Sequence, residues 1–185
     1  MIGVVIIVVL VIAALLLAGT YNRLVGLRQR ANQAFADIDV QLQQRHDLVP
    51  NLVETVKGYA THEKSTLEAV TNARAAATSA GTVEQKVQAE NALTGALRQL
   101  FAVAEAYPDL KANQGFLRLQ DELADIENKL AAARRFFNNA VGEYNASIQQ
   151  FPAVLIAGAT GFTARTFFDV GADRATVAAA PQVQF

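Results

Sequence analysis

The stretch FLRLQDELADIENKLAAARRFFNNAVGEYNASIQQF, residues 116–151, settles the secondary-structure class of this chain. Its apolar positions are Phe116, Leu119, Leu123, Ile126, Leu130, Ala133, Phe137, Ala140, Tyr144, Ile148 and Phe151, three and four apart with one slip. That is the period of an amphipathic α-helix, held for about five heptads. A period near 3.5 predicts gentle left-handed supercoiling against neighbouring helices. The element opens near Asn113 and Pro152 closes it, which makes a rod of roughly 57 Å at ~1.5 Å per residue. With long partners before it, such a rod predicts an elongated helical bundle.

The segments ahead of it carry the same period. Leu24, Leu27, Ala31, Ala34, Ile38 and Leu42 draw one apolar stripe. No Pro separates it from the apolar run that precedes it, so a single helix can run on continuously. Pro50 removes an N–H and crowds the carbonyl of His46, which predicts either a kink or a new helix start capped by Asp47. Leu48, Leu52, Val56 and Tyr59 continue an apolar face beyond it. Gly58 and Thr61-His62-Glu63-Lys64 either bend the chain or lie within a long helix. The stripe of Leu67, Val70, Ala73 and Ala77 stops at Ser79-Ala80-Gly81. Thr82-Val83-Glu84-Gln85 is a capping box that opens the next helix. Its stripe of Val87, Leu93, Leu97, Leu100 and Ala104 ends at Tyr107-Pro108-Asp109.

Ile2 to Ala18 is apolar apart from Gly3, and the first charge is Arg23. About 20 residues at ~1.5 Å each reach ~30 Å, the thickness of a hydrocarbon core. Tyr21 falls where an interfacial aromatic sits, and Arg23 can extend its charge to the headgroups. A cleaved signal peptide is the competing reading, but the basic leading region is missing and the apolar run is too long. Leu16-Leu17-Ala18-Gly19 imitates a lipoprotein processing site, with Thr20 where the lipidated Cys would have to stand. The expectation is therefore a retained, single-pass transmembrane helix. Arg23, Arg28 and Arg30 follow the run closely, which places the amino terminus outside and the rest in the cytoplasm of a bacterial inner or plasma membrane.

Residues 153–185 change character, with more Gly and Ala, few charges, and Phe162, Phe167 and Phe168 too apolar for a purely disordered tail. This segment is expected to dock on the bundle, the membrane surface or another subunit, with those three phenylalanines as oligomer-contact candidates. Pro181-Gln182-Val183-Gln184-Phe185 looks extended. Ala153 to Phe162 imitates a dinucleotide-binding strand and turn through Gly158 and Gly161. The required helix, second strand and acid have no room to follow, so no nucleotide cofactor is expected.

Sixteen Lys+Arg against seventeen Asp+Glu give a formal charge of −1, which excludes the basic footprint of a nucleic-acid partner. With no Cys in the chain, disulfides, thiolate metal sites and thiol nucleophiles are excluded too. The two histidines, His46 and His62, lack a second His at i+3 or i+4, so no metal site is expected. No Gly-x-Ser-x-Gly elbow occurs. The sequence supplies no catalytic constellation, and a non-enzymatic protein without cofactors is the expectation.

Several strings together are specific: Tyr21-Asn22, Arg45-His46-Asp47-Leu48-Val49-Pro50-Asn51-Leu52-Val53, Gly58-Tyr59-Ala60-Thr61-His62-Glu63, and Glu105-Ala106-Tyr107-Pro108-Asp109-Leu110-Lys111. Tyr144-Asn145, Phe151-Pro152 and the closing Pro-x-Val-x-Phe complete the set. In this order they closely resemble the bacterial LemA family from the anchor to the last residue. One departure is Phe137 before Asn138, where the family's string usually has Tyr, so a hydroxyl is lost. The resemblance implies an amino-terminal anchor, a four-helix bundle and no established enzymatic activity. It also implies roles in membrane stress, membrane organisation or association with membrane proteases.

Polar residues at the edges of the apolar seams are the remaining candidates. Arg134, Asn138 and Asn145 line one edge of the long helix, and Arg45, Asn51, Glu54 and Glu105 hold comparable positions elsewhere. Asp47, Tyr107 and Asp109 join them from the family strings. Such residues fix helix register or form an inter-subunit surface, and register is the better-attested use. Glu105 with an Arg of another helix is the expected pair. Ala73, Ala77, Ala132, Ala133 and Gly142 allow close helix approach, or simply favour helix.

The expected architecture is all-α: a transmembrane anchor over 1–22, an elongated antiparallel four-helix bundle with coiled-coil packing over 23–152, and an apolar carboxyl-terminal segment over 153–185. The expected function is structural, through lateral self-assembly of anchored copies as a homo-oligomer at the bilayer. The alternative is an adaptor for a membrane protease or sensor.

Overall fold

A computed structural model describes residues 1–60 and 62–168. Six helices account for most of them: α1 (Ile2–Lys57), α2 (Lys64–Ser79), α3 (Val83–Ala104), α4 (Pro108–Lys111), α5 (Gln114–Gln149) and α6 (Val154–Ala157). There is no strand among the described residues. The closing Pro181–Phe185 string lies outside them.

The helix boundaries follow from local chemistry. The capping box forms as the sequence requires, with Thr82 Oγ1 accepting from the Gln85 N–H and Gln85 Oε1 accepting from the Thr82 N–H. Pro108 supplies the first residue of α4, where a missing N–H costs nothing. Asn113 caps α5, its Oδ1 accepting from the Phe116 N–H at 2.9 Å. Two open questions of the sequence are resolved. The helix is broken after Lys57, where α1 ends, and α2 begins at Lys64. At Pro50 there is no new start, because α1 runs through it for 56 residues in all.

The chain divides into two compact units, and α1 and α5 contribute to both. One contains Met1–Val40 and Leu130–Phe167. Here α1 and α5 run antiparallel: Arg30 meets Glu143 at 3.1 Å, and farther along α1 Phe35 meets Phe137, earlier on α5, with ring centroids 5.5 Å apart. Leu24, Leu27, Tyr144, Ile148, Ala153, Ala157 and Phe162 form one buried cluster. Every side chain from Met1 to Gly19 is exposed.

The other unit contains Gln41–Lys129 and Phe168 among the described residues. Its core draws Val49, Leu52 and Val56 from α1, Leu67, Val70 and Ala77 from α2, Leu93, Leu97 and Leu100 from α3, Leu110 from α4, and Phe116 and Leu123 from α5. The periodicity marked most of these, but not Val49 or Leu110, and Tyr59, which it placed on the α1 face, is 42% exposed. Each fully buried Leu or Val contributes roughly 1.5–3 kcal/mol relative to exposure.

The Gly158–Gly161 stretch is a helix end. The Phe162 N–H bonds the Ala157 carbonyl at 2.9 Å and the Gly161 N–H the Gly158 carbonyl at 3.4 Å. Gly161 has φ +74°, the left-handed conformation such a Schellman closure needs. The reversal delivers Phe162 into the buried cluster.

Candidate functional site

The most heavily constrained polar cluster lies inside the unit built on Gln41–Lys129. Arg45 is 5% exposed and Glu90 1%, and they meet through Nη1 and Oε2 at 3.0 Å. The second Arg45 nitrogen donates to Thr94 Oγ1 at 2.8 Å and stands 3.5 Å from a Glu127 carboxylate oxygen. His46, also buried, brings Nε2 to 2.5 Å from the other Glu90 oxygen. Both Glu90 oxygens are thus held by adjacent residues of α1. A buried carboxylate is tolerated because its charge is paired and its lone pairs are used.

Pro50 explains a further contact. Its missing N–H deprives the His46 carbonyl of its helical partner. Arg74 Nε on α2 donates to that same carbonyl at 2.7 Å. The gap in α1 is therefore filled by a cation from α2, a charge-assisted bond that fixes the two helices' register.

At the turns between helices of this unit, Tyr107 donates its hydroxyl to Glu63 Oε1 at 3.1 Å. That hydrogen bond, with desolvation and the carboxylate's charge adding to it, holds the Tyr107 hydroxyl above its ordinary pKa. Asn113 Nδ2 donates to the Tyr59 hydroxyl at 2.9 Å. Two family strings, around Tyr59-Glu63 and around Tyr107, are thereby joined.

In the unit that contains Met1–Val40, Asn145 grips the backbone of Arg165 twice. Its Nδ2 donates to the Arg165 carbonyl at 2.8 Å, and its Oδ1 accepts the Arg165 N–H at 2.9 Å. Beside it the Tyr144 hydroxyl donates to the Thr163 carbonyl at 2.9 Å. The Tyr-Asn pair therefore pins the extended segment that follows α6. Phe162 itself is 3% exposed, edge-on to Tyr21 at 5.5 Å, with the Arg28 guanidinium 4.8 Å from its ring centre.

The expected candidates divide by burial. Arg45 is buried, and Tyr107, Arg134, Asn138 and Asn145 are half-buried. Arg134 and Asn138 both have partners. Asp47, Asn51, Glu54, Glu105 and Asp109 are exposed. Asp47 accepts from Gln43, and Glu54 pairs with Lys57. Glu105 pairs with Lys111 and not with an Arg of another helix, because α3 stops at Ala104 and leaves Glu105 in the turn. Phe162 and Phe168, offered as oligomer contacts, are buried in this chain at 3% and 1% exposed, and only Phe167 remains on the surface. Phe137 is buried against Phe35, where a ring without a hydroxyl packs with no polar atom to satisfy.

Glu90 and Arg74 were missed. Glu90 was detectable, since the stripe of α3 skips from Val87 to Leu93 and Glu90 occupies the vacant slot. Arg74 became meaningful only once α2 was known to face the carbonyl freed by Pro50. Among the described residues no three His, Asp or Glu side chains converge on a point where a metal could sit.

The family model described as "LemA family" matches residues 34–185. The chain is 26% identical to magnetosome protein MamQ of Magnetospirillum gryphiswaldense, over 80% of this chain and 64% of that protein. It is also 26% identical to magnetosome protein MamQ 2 of Paramagnetospirillum magneticum, over 87% of this chain and 68% of that protein. Protein LemA of Metamycoplasma hominis is 27% identical over 72% of this chain and 61% of its own length. The chain thus spans about two thirds of the length of these relatives.

Proposed function

The chain belongs to the LemA family, and from that premise we propose that it is a non-enzymatic, membrane-anchored helical protein whose copies assemble laterally at a bacterial membrane. The observation that carries this reading is the first third of α1. It is the one helix among the described residues long and apolar enough to cross a bilayer, and its apolar run is exposed on every side. No core of this chain covers that surface, and lipid is the solvent that suits it.

The distal part of α1 with α2, α3 and the first part of α5 makes a four-helix bundle on the cytoplasmic side. The buried Arg45–Glu90–His46 cluster sets the register of these helices, as isolated polar residues do in coiled coils.

Electron microscopy of the full-length protein in native membranes or mild detergent tests the reading. Large particles of regular symmetry are expected. A monomer at high concentration overturns self-assembly, and co-purification of that monomer with a membrane protease or sensor moves the function to an adaptor.

A further inference from the structure

The turn after α5 carries an apolar surface that the fold leaves open. Phe151 is 80% exposed, Val154 52% and Leu155 66%. Their neighbours Ala153 and Ala157 are buried, so α6 is apolar on both its inner and its outer side. A helix facing water would place polar residues on the outer side. From Tyr144 to Ala164 the chain carries no charged side chain, with Glu143 before it and Arg165 after it.

The position of this turn along α1 is fixed within its own unit. Ala153, Ala157 and Phe162 share a buried cluster with Leu24 and Leu27, and Phe162 touches Tyr21. The apolar run of α1 ends at Ala18, so Tyr21 lies ~4.5 Å and Leu24 ~9 Å farther along the same unbroken helix. The headgroup layer is about 5–7 Å deep on each side of the hydrocarbon. The α6 turn therefore lies at or just above the boundary where α1 leaves the lipid. Arg28, ~15 Å past Ala18, and Arg165, whose Nη1 donates to the Arg28 carbonyl at 3.4 Å, stand on the water side of that boundary.

We infer that Phe151, Val154 and Leu155 form a second membrane contact, an apolar knuckle that inserts into the headgroup–acyl boundary beside the transmembrane helix. The inference rests on the reading that α1 spans the membrane. Its consequence is mechanical. A helix held at one point can tilt and swivel, whereas a second contact more than one hundred residues away in the chain fixes the angle at which the folded part leaves the membrane.

The chain has no Cys, so single cysteines can be placed cleanly in the full-length protein. Leu155→Cys probes the knuckle and Leu10→Cys the span. Asn139→Cys, exposed on α5 in the same unit, is the aqueous control. Each is labelled with an environment-sensitive fluorophore in vesicles of phosphatidylcholine and phosphatidylglycerol at 3:1, with spin-labelled lipid as quencher. The expected result is a blue-shifted emission quenched severalfold at residues 10 and 155 and unaffected at 139. Quenching at 10 with residue 155 behaving like 139 overturns the knuckle and leaves the span intact. If residue 10 is unquenched as well, the spanning helix itself fails and the knuckle falls with it.

Discussion

Glu90, 1% exposed, holds Arg45 with one carboxylate oxygen and His46 with the other. Removing its charge leaves Arg45 and His46 buried around a neutral side chain, and breaking a buried pair from one side costs roughly 3–5 kcal/mol. Glu90→Gln is therefore expected to destabilise the full-length protein by about 3 kcal/mol in denaturant unfolding. Glu105→Gln, in an exposed turn, should stay within about 0.5 kcal/mol. Equal effects would show that the buried cluster does not set the fold. Tyr107 makes a pH statement with a definite sign. Its folded pKa is raised, so the stability of its bond to Glu63 is present below the ordinary tyrosine value and lost as pH rises through the folded one. Tyr107→Phe should flatten this alkaline loss, read by unfolding at a series of pH values. At this scale a polar residue that interrupts a periodic stripe is the readable signal; Arg45 was read so, and Glu90, which carries the same signal, was passed over. The sequence is illegible where a partner comes from another helix, as Arg74 does for the His46 carbonyl.

The boundaries written locally were readable, whereas the break between α1 and α2 was left open and the short α4 and α6 were not foreseen. A capping box, Pro at the first position of α4, and Asn113 ahead of α5 act within a few residues. Pro50 is the instructive exception. Local chemistry offers a break there, and a tertiary contact prevents it. Arg74→Met should cost about 1–3 kcal/mol, since it orphans a carbonyl inside the fold. In a Pro50→Ala background the helix supplies its own N–H, and the same substitution should cost markedly less. The coupling from a double-mutant cycle measures the repair directly, and additive effects would contradict it. Gly161 is the other fixed point, where φ is +74° and a side chain is strained whatever space surrounds it. Gly161→Ala should lose about 1 kcal/mol, read in unfolding, and should raise hydrogen exchange at the Phe162 amide. The sequence showed a glycine-bearing turn at this place and argued against a nucleotide loop, but only the hydrogen bonds show that the turn is a helix closure.

At the scale of the whole molecule the decisive surface is the exposed apolar run ahead of Tyr21. It was legible by length alone, because a hydrocarbon core demands about 20 apolar residues and few soluble helices supply them without burying any. On the proposed spanning reading, the direction in which α1 crosses depends on a subtler asymmetry. Arg23, Arg28 and Arg30 stand within the distance over which basic residues bias insertion. The fold then places Arg165, distant in sequence, against the backbone of Arg28. A fourth cation thus joins the same level, and each basic group near an anionic leaflet is worth about 1 kcal/mol. On that reading both effects predict the cytoplasmic face for everything after Tyr21. A single Asn32→Cys in the cysteine-free chain reports the outcome, since Asn32 is exposed on α1 beyond the span. A membrane-impermeant maleimide should label it only after the cells are permeabilised. Labelling in intact cells would reverse the orientation, and the partners sought for this protein would then have to lie outside the cytoplasm.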